Sequence, residues 1–444
     1  MNGEQATMRE NSAGVLIVGG RVLDPARGID EVADVAIESG TIRAIGRGLD
    51  RSPGGEPARV LDAEGCLVVP GLIDPHVHLR EPGQTHKETI GSGTAAAVRG
   101  GFTSVCCMPN TDPPIDSVVT LEGVRAIAAR DGRCRVFVAA CATRGRLGRE
   151  PAVIDRLAAA GAAGFTDDGS AVADSGVLAA VLGLVASTGR VFMQHCEDPS
   201  LSGGAPMHAG SVSARLGLAG WPREAEEVIL ERDLRLNGSL GCRYHAQHMS
   251  SAGSVELLRR ARASGEPVSG EASPHHLTLD HEACAGLDTS TKMNPPLREH
   301  HDVDALRQGV ADGVITVLAT DHAPHAPDEK ATDFESAPYG IIGLETALGI
   351  YALALVETGA IGWERLIELM TIEPARLCGL DSAGLGSLCV GGPADVSVID
   401  PAAQWTVGHG DLAGQSSNTP FLGWTLGARA IGTIVGGRVE MWRR

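Results

Sequence analysis

Eight short apolar runs, each ending in polar or ionisable residues and separated by helix-like stretches, constrain this chain more than any other feature. The runs are CLVVPGLIDPHVH, TSVCCMPN, RVFVAACAT, AAGFTDD, RVFMQHCED, RYHAQHMS, PVSGEASPHH and VITVLATDHAPH. Between them AVIDRLAAA, VLAAVLGLVAS, EAEEVILERDLRL, SVELLRRARA and VDALRQGVADG space their apolar residues at helical intervals, so that each can bury one face. Strand and helix in alternation build a parallel sheet, and eight repeats close it into an α/β fold of the (β/α)8 TIM barrel type. Catalytic groups in such barrels stand at the C-terminal strand ends. A purely structural barrel has no reason to gather His, Asp, Asn and Arg there.

Residues 1–13 are polar and predicted to be mobile. From Val15 onward VLIVGG, RVLD, VADVAIESG and TIRAIG read as strands joined by tight turns, and the pattern returns in ADVSVID, ARAIGTIVGG and RVEMWRR. Segments 14–68 and 380–444 are therefore expected to form one small β-domain from both ends, leaving 69–379 as the catalytic barrel. With 444 residues and 43% apolar content the chain can bury a large core. Its net charge of -18 argues against nucleic acid and anionic membranes as partners, since both would repel it. No run approaches the roughly 20 apolar residues of a membrane span, and the N-terminus lacks signal-peptide regions, so a cytoplasmic location is expected. The ten cysteines show no Cys-x-x-Cys pair and read as buried thiols, not as a disulfide framework or a thiolate metal site.

Strand alternation in DPHVHLR places His76 and His78 on one face, where two imidazoles could reach one metal ion. Alone, a His-x-His is a weak signal. His195, His248 and Asp321 also end strands, and four histidines with one aspartate suit a hydrolytic zinc site with open positions. His86, His208, His245, His281, His300, His301 and His409 are expected to be surface or packing residues. Arg80 follows His78 by two residues, on the same side of an extended segment, and its planar fork suits a carboxylate. Asn110 ends the second strand and can donate to the same group. The long Gly-rich stretch after His195 is read as a cover over the site.

DPHVHLREPGQTHKETI, GGFTSVCCMPNT, GFTDDGS, HCED, NPPLR, ATDHAPH, GIIGLETAL and SSNTPFLG, in this order, resemble the amidohydrolase superfamily and more closely the bacterial type I dihydroorotases. The resemblance runs from about Val15 to the C-terminus. It implies reversible hydrolysis of the cyclic amide of (S)-dihydroorotate to N-carbamoyl-L-aspartate, a step of pyrimidine biosynthesis. It further implies one zinc on His76 and His78, a second on His195 and His248, and Asp321 as both ligand and catalytic acid/base. Many relatives bridge the metals with a carboxylated lysine, but FTDDG has no lysine, and the resemblance carries that role to Asp168. Asp167 is then a structural hydrogen-bond acceptor. Two zinc ions per chain are expected, with single occupancy as the alternative.

By the same resemblance Asn294 contacts the ring amide edge and His325 the carboxylate. Tyr339 and Gly340, where relatives commonly carry Pro-Gly, would offer backbone contacts to the ring. The implied partner is a small-molecule substrate; a homo-oligomer is expected, and a complex with aspartate transcarbamoylase is left open. Two alternatives compete with this reading. A hydantoinase or allantoinase usually has the bridging lysine and needs no Arg80 and Asn110 clamp, whereas a scaffold-only relative would have lost metal ligands.

Overall fold

A computed structural model describes residues 14–49 and 58–443; the segment 1–13, predicted to be mobile, lies outside the described residues. The chain opens with β1 (Val15–Asp24), β2 (Ile29–Glu38), β3 (Thr41–Gly46), β4 (Arg59–Asp62) and β5 (Leu67–Pro70). Five strands follow, β6 (Leu72–Val77), β7 (Phe102–Cys107), β8 (Arg135–Cys141), β9 (Gly164–Thr166) and β10 (Val191–Gln194). A short pair, β11 (Met207–His208) and β12 (Gly220–Trp221), interrupts before β13 (Arg243–Ala246), β14 (Val268–Ala272) and β15 (Val317–Leu318). The chain ends in β16 (Val396–Thr406), β17 (Thr425–Val435) and β18 (Arg438–Trp442).

The order β15-β14-β13-β10-β9-β8-β7-β6 gives eight parallel strands, one from each of the eight apolar runs. A parallel bridge between Val77 and His322 closes the ring, and the Thr320 N–H donates to the Asp74 carboxylate across the same seam. The expected (β/α)8 barrel is the fold observed. One run does double duty: CLVVPGLIDPHVH is divided at Gly71, with Leu67–Pro70 joining the terminal sheet and Leu72–Val77 the barrel. A side chain at Gly71 would collide with Thr103, its Cβ lying 2.0 Å from Oγ1.

The helices follow from local chemistry. Ser175–Thr188 begins where the Asp174 carboxylate accepts from the Val177 N–H at 2.9 Å, and it stops at Gly189, whose φ of +70° favours glycine. It buries Leu178, Val181, Leu182 and Val185, spaced to form one stripe against the barrel core.

The second sheet has the order β18-β17-β16-β5-β1-β2-β3, with β4 beside β1, so strands from both termini share it. Its own core includes Ile17, Val35, Val68, Val398 and Ile434. Polar side chains fasten it to the barrel: Ser397 Oγ donates to Gly101 O at 2.6 Å and Thr433 Oγ1 to Val98 O at 2.8 Å. No disulfide joins the cysteines, nine of which are buried. Among the described residues no helix is long and apolar enough to cross a membrane.

Candidate active site

Five barrel strands deliver side chains to one point at the C-terminal mouth. Asp168, just past β9, sits at the centre. Its Oδ1 lies 3.3 Å from His76 Nε2, 3.4 Å from His248 Nε2 and 3.7 Å from His195 Nδ1, while its Oδ2 lies 3.4 Å from His78 Nε2. Asp321 closes the ring from the far side, with Oδ1 3.1 Å from His78 Nε2 and 3.5 Å from His76 Nε2. His195 Nδ1 and His248 Nε2 stand 2.8 Å apart. Two overlapping groups emerge, His76 with His78 and Asp321, and His76 with Asp168 and His248. His76 thus belongs to both, and the division of histidines between two ions is less clean than the resemblance implied.

The buried His76 Nε2 and Asp168 Oδ1 have no hydrogen-bond partner. Leaving such atoms unpaired is costly, and imidazole nitrogen with carboxylate oxygen is the donor set of a divalent transition metal. The residues present fit a metal centre.

Three of the four histidines offer one nitrogen to this centre and are held by the other. His76 Nδ1 meets Glu271 Oε1 at 2.6 Å, His78 Nδ1 meets Asn110 Oδ1 at 2.9 Å, and His195 Nε2 meets Glu197 Oε2 at 3.0 Å. Such partners fix tautomer and ring orientation in metal ligands. Glu271 also accepts from the His248 backbone N–H at 3.1 Å and pairs with His245 Nε2 at 3.0 Å. His245 is therefore a fully buried support behind the site, not an isolated packing histidine. Sequence reasoning missed Glu271 and Glu197. The signal was a carboxylate inside the apolar strand run of PVSGEASPHH and another in HCED, each needing a partner once buried.

The adjacent aspartates separate by role. Asp167 turns away, accepting the N–H groups of Ala142 and Thr143 at 3.0 Å each and the Thr143 hydroxyl. Burial alone would raise the Asp168 pKa, but the charge of His76 and the close contacts with His195 and His248 hold it well below the usual carboxylate range. The same balance, with His78 as the main hydrogen-bond partner, holds Asp321 at about 2.

A cavity of about 260 Å³ opens over this cluster. His78, Asp168, His195, His248 and Asp321 line it, and so do Arg80, Asn110, Asn294, His325, Tyr339 and Gly340. His76 lies behind, fully buried. The alternation argument for Arg80 fails in detail, because its backbone is left-handed with φ of +59° and the segment is not extended there. Its side chain reaches the cavity nonetheless. Arg80 Nε donates to Pro324 O at 3.1 Å, and among the described residues no carboxylate forms an ion pair with the guanidinium. Burial lowers its pKa to about 10. Asn110 Oδ1 accepts from His78 Nδ1, which leaves its amide N–H groups as donors toward the cavity.

Asn294 Oδ1 is buried without a partner, an acceptor that a ring N–H could fill. His325 Nε2 meets Tyr339 O at 2.8 Å, and its Nδ1 has no hydrogen-bond partner, with the Glu329 carboxylate 3.6 Å away; burial, then Arg80, pushes its pKa down to about 3. Tyr339 and Gly340 line the cavity, and several of their backbone groups already have partners within the chain. Gly340 N donates to Lys292 O, Gly340 O accepts from Asn418, and Tyr339 O accepts from His325. Gly340 provides space: its φ is +103°, and a Cβ there would lie 2.6 Å from that of Ala323. The segment after His195 is ordered into two short helices and the β11–β12 pair, and it meets Tyr339 at the edge of the cavity.

A parallel barrel whose mouth gathers histidines and aspartates around an open polar cavity fits a metal-dependent hydrolase. The solved structures agree: an L-hydantoinase (dihydropyrimidinase) from Arthrobacter aurescens superposes with a TM-score of 0.84 at 26% identity, covering 97% of this chain and 96% of that one. A dihydropyrimidinase from Brevibacillus agri shares the fold at a TM-score of 0.82 and 23% identity, covering 97% of this chain and 95% of that one.

Sequence relatives narrow the class. Residues 65–254 match the family model described as Dihydro-orotase-like. A dihydroorotase from Trichlorobacter lovleyi is 45% identical over 96% of this chain and 98% of its own, and one from Pelotomaculum thermopropionicum is 46% identical over 97% and 99%. The chain belongs to the dihydroorotase family.

Proposed function

We propose that this chain is a zinc-dependent dihydroorotase, which reversibly hydrolyses the cyclic amide of (S)-dihydroorotate to N-carbamoyl-L-aspartate in pyrimidine biosynthesis. The observation that carries the reading is Arg80, a buried guanidinium without a carboxylate partner, facing a cavity shared with the His/Asp cluster. A ligand bearing a carboxylate next to a hydrolysable ring amide satisfies both halves of that cavity. A hydantoin or allantoin ring supplies no such carboxylate, and the central position here holds Asp168 where a bridging lysine would be expected.

His76, His78, His195, His248, Asp168 and Asp321 are the residues that would hold the metal, with two zinc ions per chain. When bound, zinc polarises a carbonyl and lowers the pKa of water. Arg80 and Asn110 clamp the substrate carboxylate, and the Asn294 carbonyl accepts from a ring N–H. Asp321, held ionised, takes a proton from the attacking water and delivers it to the departing ring nitrogen as the C–N bond breaks. In reverse the same carboxylate receives the proton as the ring closes.

The test is metal content per chain measured beside turnover of dihydroorotate, hydantoin and allantoin. Zinc with turnover of dihydroorotate alone is expected, and preferential turnover of either other ring would overturn the assignment. The enzyme is further proposed to act in the cytoplasm as a homo-oligomer. Sedimentation with and without aspartate transcarbamoylase decides whether that enzyme joins it.

A further inference from the structure

The wall of the cavity formed by Pro338, Tyr339 and Gly340 belongs to a stretch with neither helix nor strand, running from residue 331 to residue 346. Such a stretch has no ladder to satisfy its carbonyl groups, and buried carbonyls need partners. Two lysines provide them. Lys292 Nζ donates to Glu335 O and Ala337 O, both at 2.7 Å, and Lys330 Nζ donates to Pro338 O at 2.7 Å and Thr289 O at 2.9 Å. Lys292 also receives the Gly340 N–H on its own carbonyl at 2.8 Å. Both lysines are buried, and among the described residues neither forms an ion pair with a carboxylate. A buried ammonium without a counter-ion is costly unless its hydrogens are used, and here three of the four bonds go to one segment.

We infer that Lys292 and Lys330 are positioning residues whose ammonium groups hold residues 335–340 as a fixed wall of the substrate cavity. The Lys292 ammonium lies 4.4 Å from the centre of the Tyr339 ring, close enough for a cation–π contact. Tyr339 in turn donates its hydroxyl to Gly204 O at 3.2 Å and Ala205 O at 3.1 Å, and its carbonyl receives His325 Nε2. The lysines thereby also set His325 and the segment that follows His195. None of these bonds touches the His/Asp cluster, so loosening the wall should cost substrate binding while leaving proton transfer at Asp321 intact. Sequence inspection does not single out either lysine, because each acts on backbone groups.

The inference rests on the dihydroorotase reading for its kinetic arm only. In Lys330→Met and Lys292→Met the KM for dihydroorotate should rise about tenfold or more, with kcat changed less than about threefold and metal content unchanged. Amide hydrogen exchange, measured without substrate, should quicken at residues 331–342 and 203–206 and not in the barrel strands. If Lys292→Met does not fold, Lys330→Met carries the test, since it removes only the bonds to Thr289 and Pro338. Unchanged KM and unchanged exchange would overturn the inference, and so would a fall in kcat together with metal loss. Failure of the native protein to turn over dihydroorotate sinks the functional reading, and the exchange arm then decides the inference alone.

Discussion

The terminal sheet and the barrel mouth use the same kinds of strand and differ in how their side chains are satisfied. In the sheet Ile17, Val35, Val398 and Ile434 pack together, and Ser397 and Thr433 find carbonyl partners on the barrel. At the mouth His76 Nε2, Asp168 Oδ1, Asn294 Oδ1 and His325 Nδ1 are buried or nearly so and lack hydrogen-bond partners. A folded chain tolerates such groups where a ligand completes them, so unsatisfied polarity marks the working surface and satisfied packing marks the support. Substitutions in the two regions should therefore separate activity from stability.

The largest effect is expected at the centre of the mouth. Asp168→Ala should lose at least one metal ion per chain and nearly all turnover while the thermal transition of the metal-free protein stays close to native. Atomic spectroscopy on purified protein measures the ratio, and an unchanged ratio would show that Asp168 does not hold metal. Asp321→Asn should keep the fold and much of the metal but lower kcat by roughly a hundred- to ten-thousand-fold, the range for a lost general acid/base. Turnover near the native value would remove Asp321 from the proton path.

Arg80→Met comes next. It should weaken recognition of dihydroorotate by about 2 to 5 kcal/mol, the range for truncating one partner of a desolvated charge pair. Dihydrouracil, a ring without the carboxylate, should already be a poor substrate and lose little more. Comparing kcat/KM for both rings with both proteins isolates the pair, and equal losses would assign Arg80 to structural support of its strand end. The smallest effect belongs to the sheet. Ile434→Val should cost about 0.5 to 1.5 kcal/mol of stability in denaturant unfolding with KM and kcat unaltered. A change in KM would mean the two regions are not separable as described.

Among particular residues the division between legible and hidden is physical. Period-two alternation put His76 and His78 on one face because β6 runs through Val77, even though its register against β7 shifts between Asp74 and Val77, and the Asp321 and His248 positions were legible as polar endings of apolar runs. Alternation stops being a guide past the strand ends. Arg80, His248 and Asp321 have φ of +59°, +29° and +51°, conformations rare for such residues and fixed only by the surrounding packing. His245 looked isolated because its partners, Ser269 and Glu271, lie on the next strand, more than twenty residues on.

The sequence by itself determined the number and order of barrel strands, the sharing of one sheet by both termini and the donor types at the mouth. Each of these follows from local periodicity or residue chemistry. Only the tertiary structure decided that Arg80 reaches the cavity from a left-handed backbone, that Glu197 and Glu271 hold the histidines, and that Lys292 and Lys330 brace the site. Those choices depend on which backbone and side-chain groups meet across distant segments, and a hydrogen-bond partner far along the chain leaves no periodic trace in the sequence.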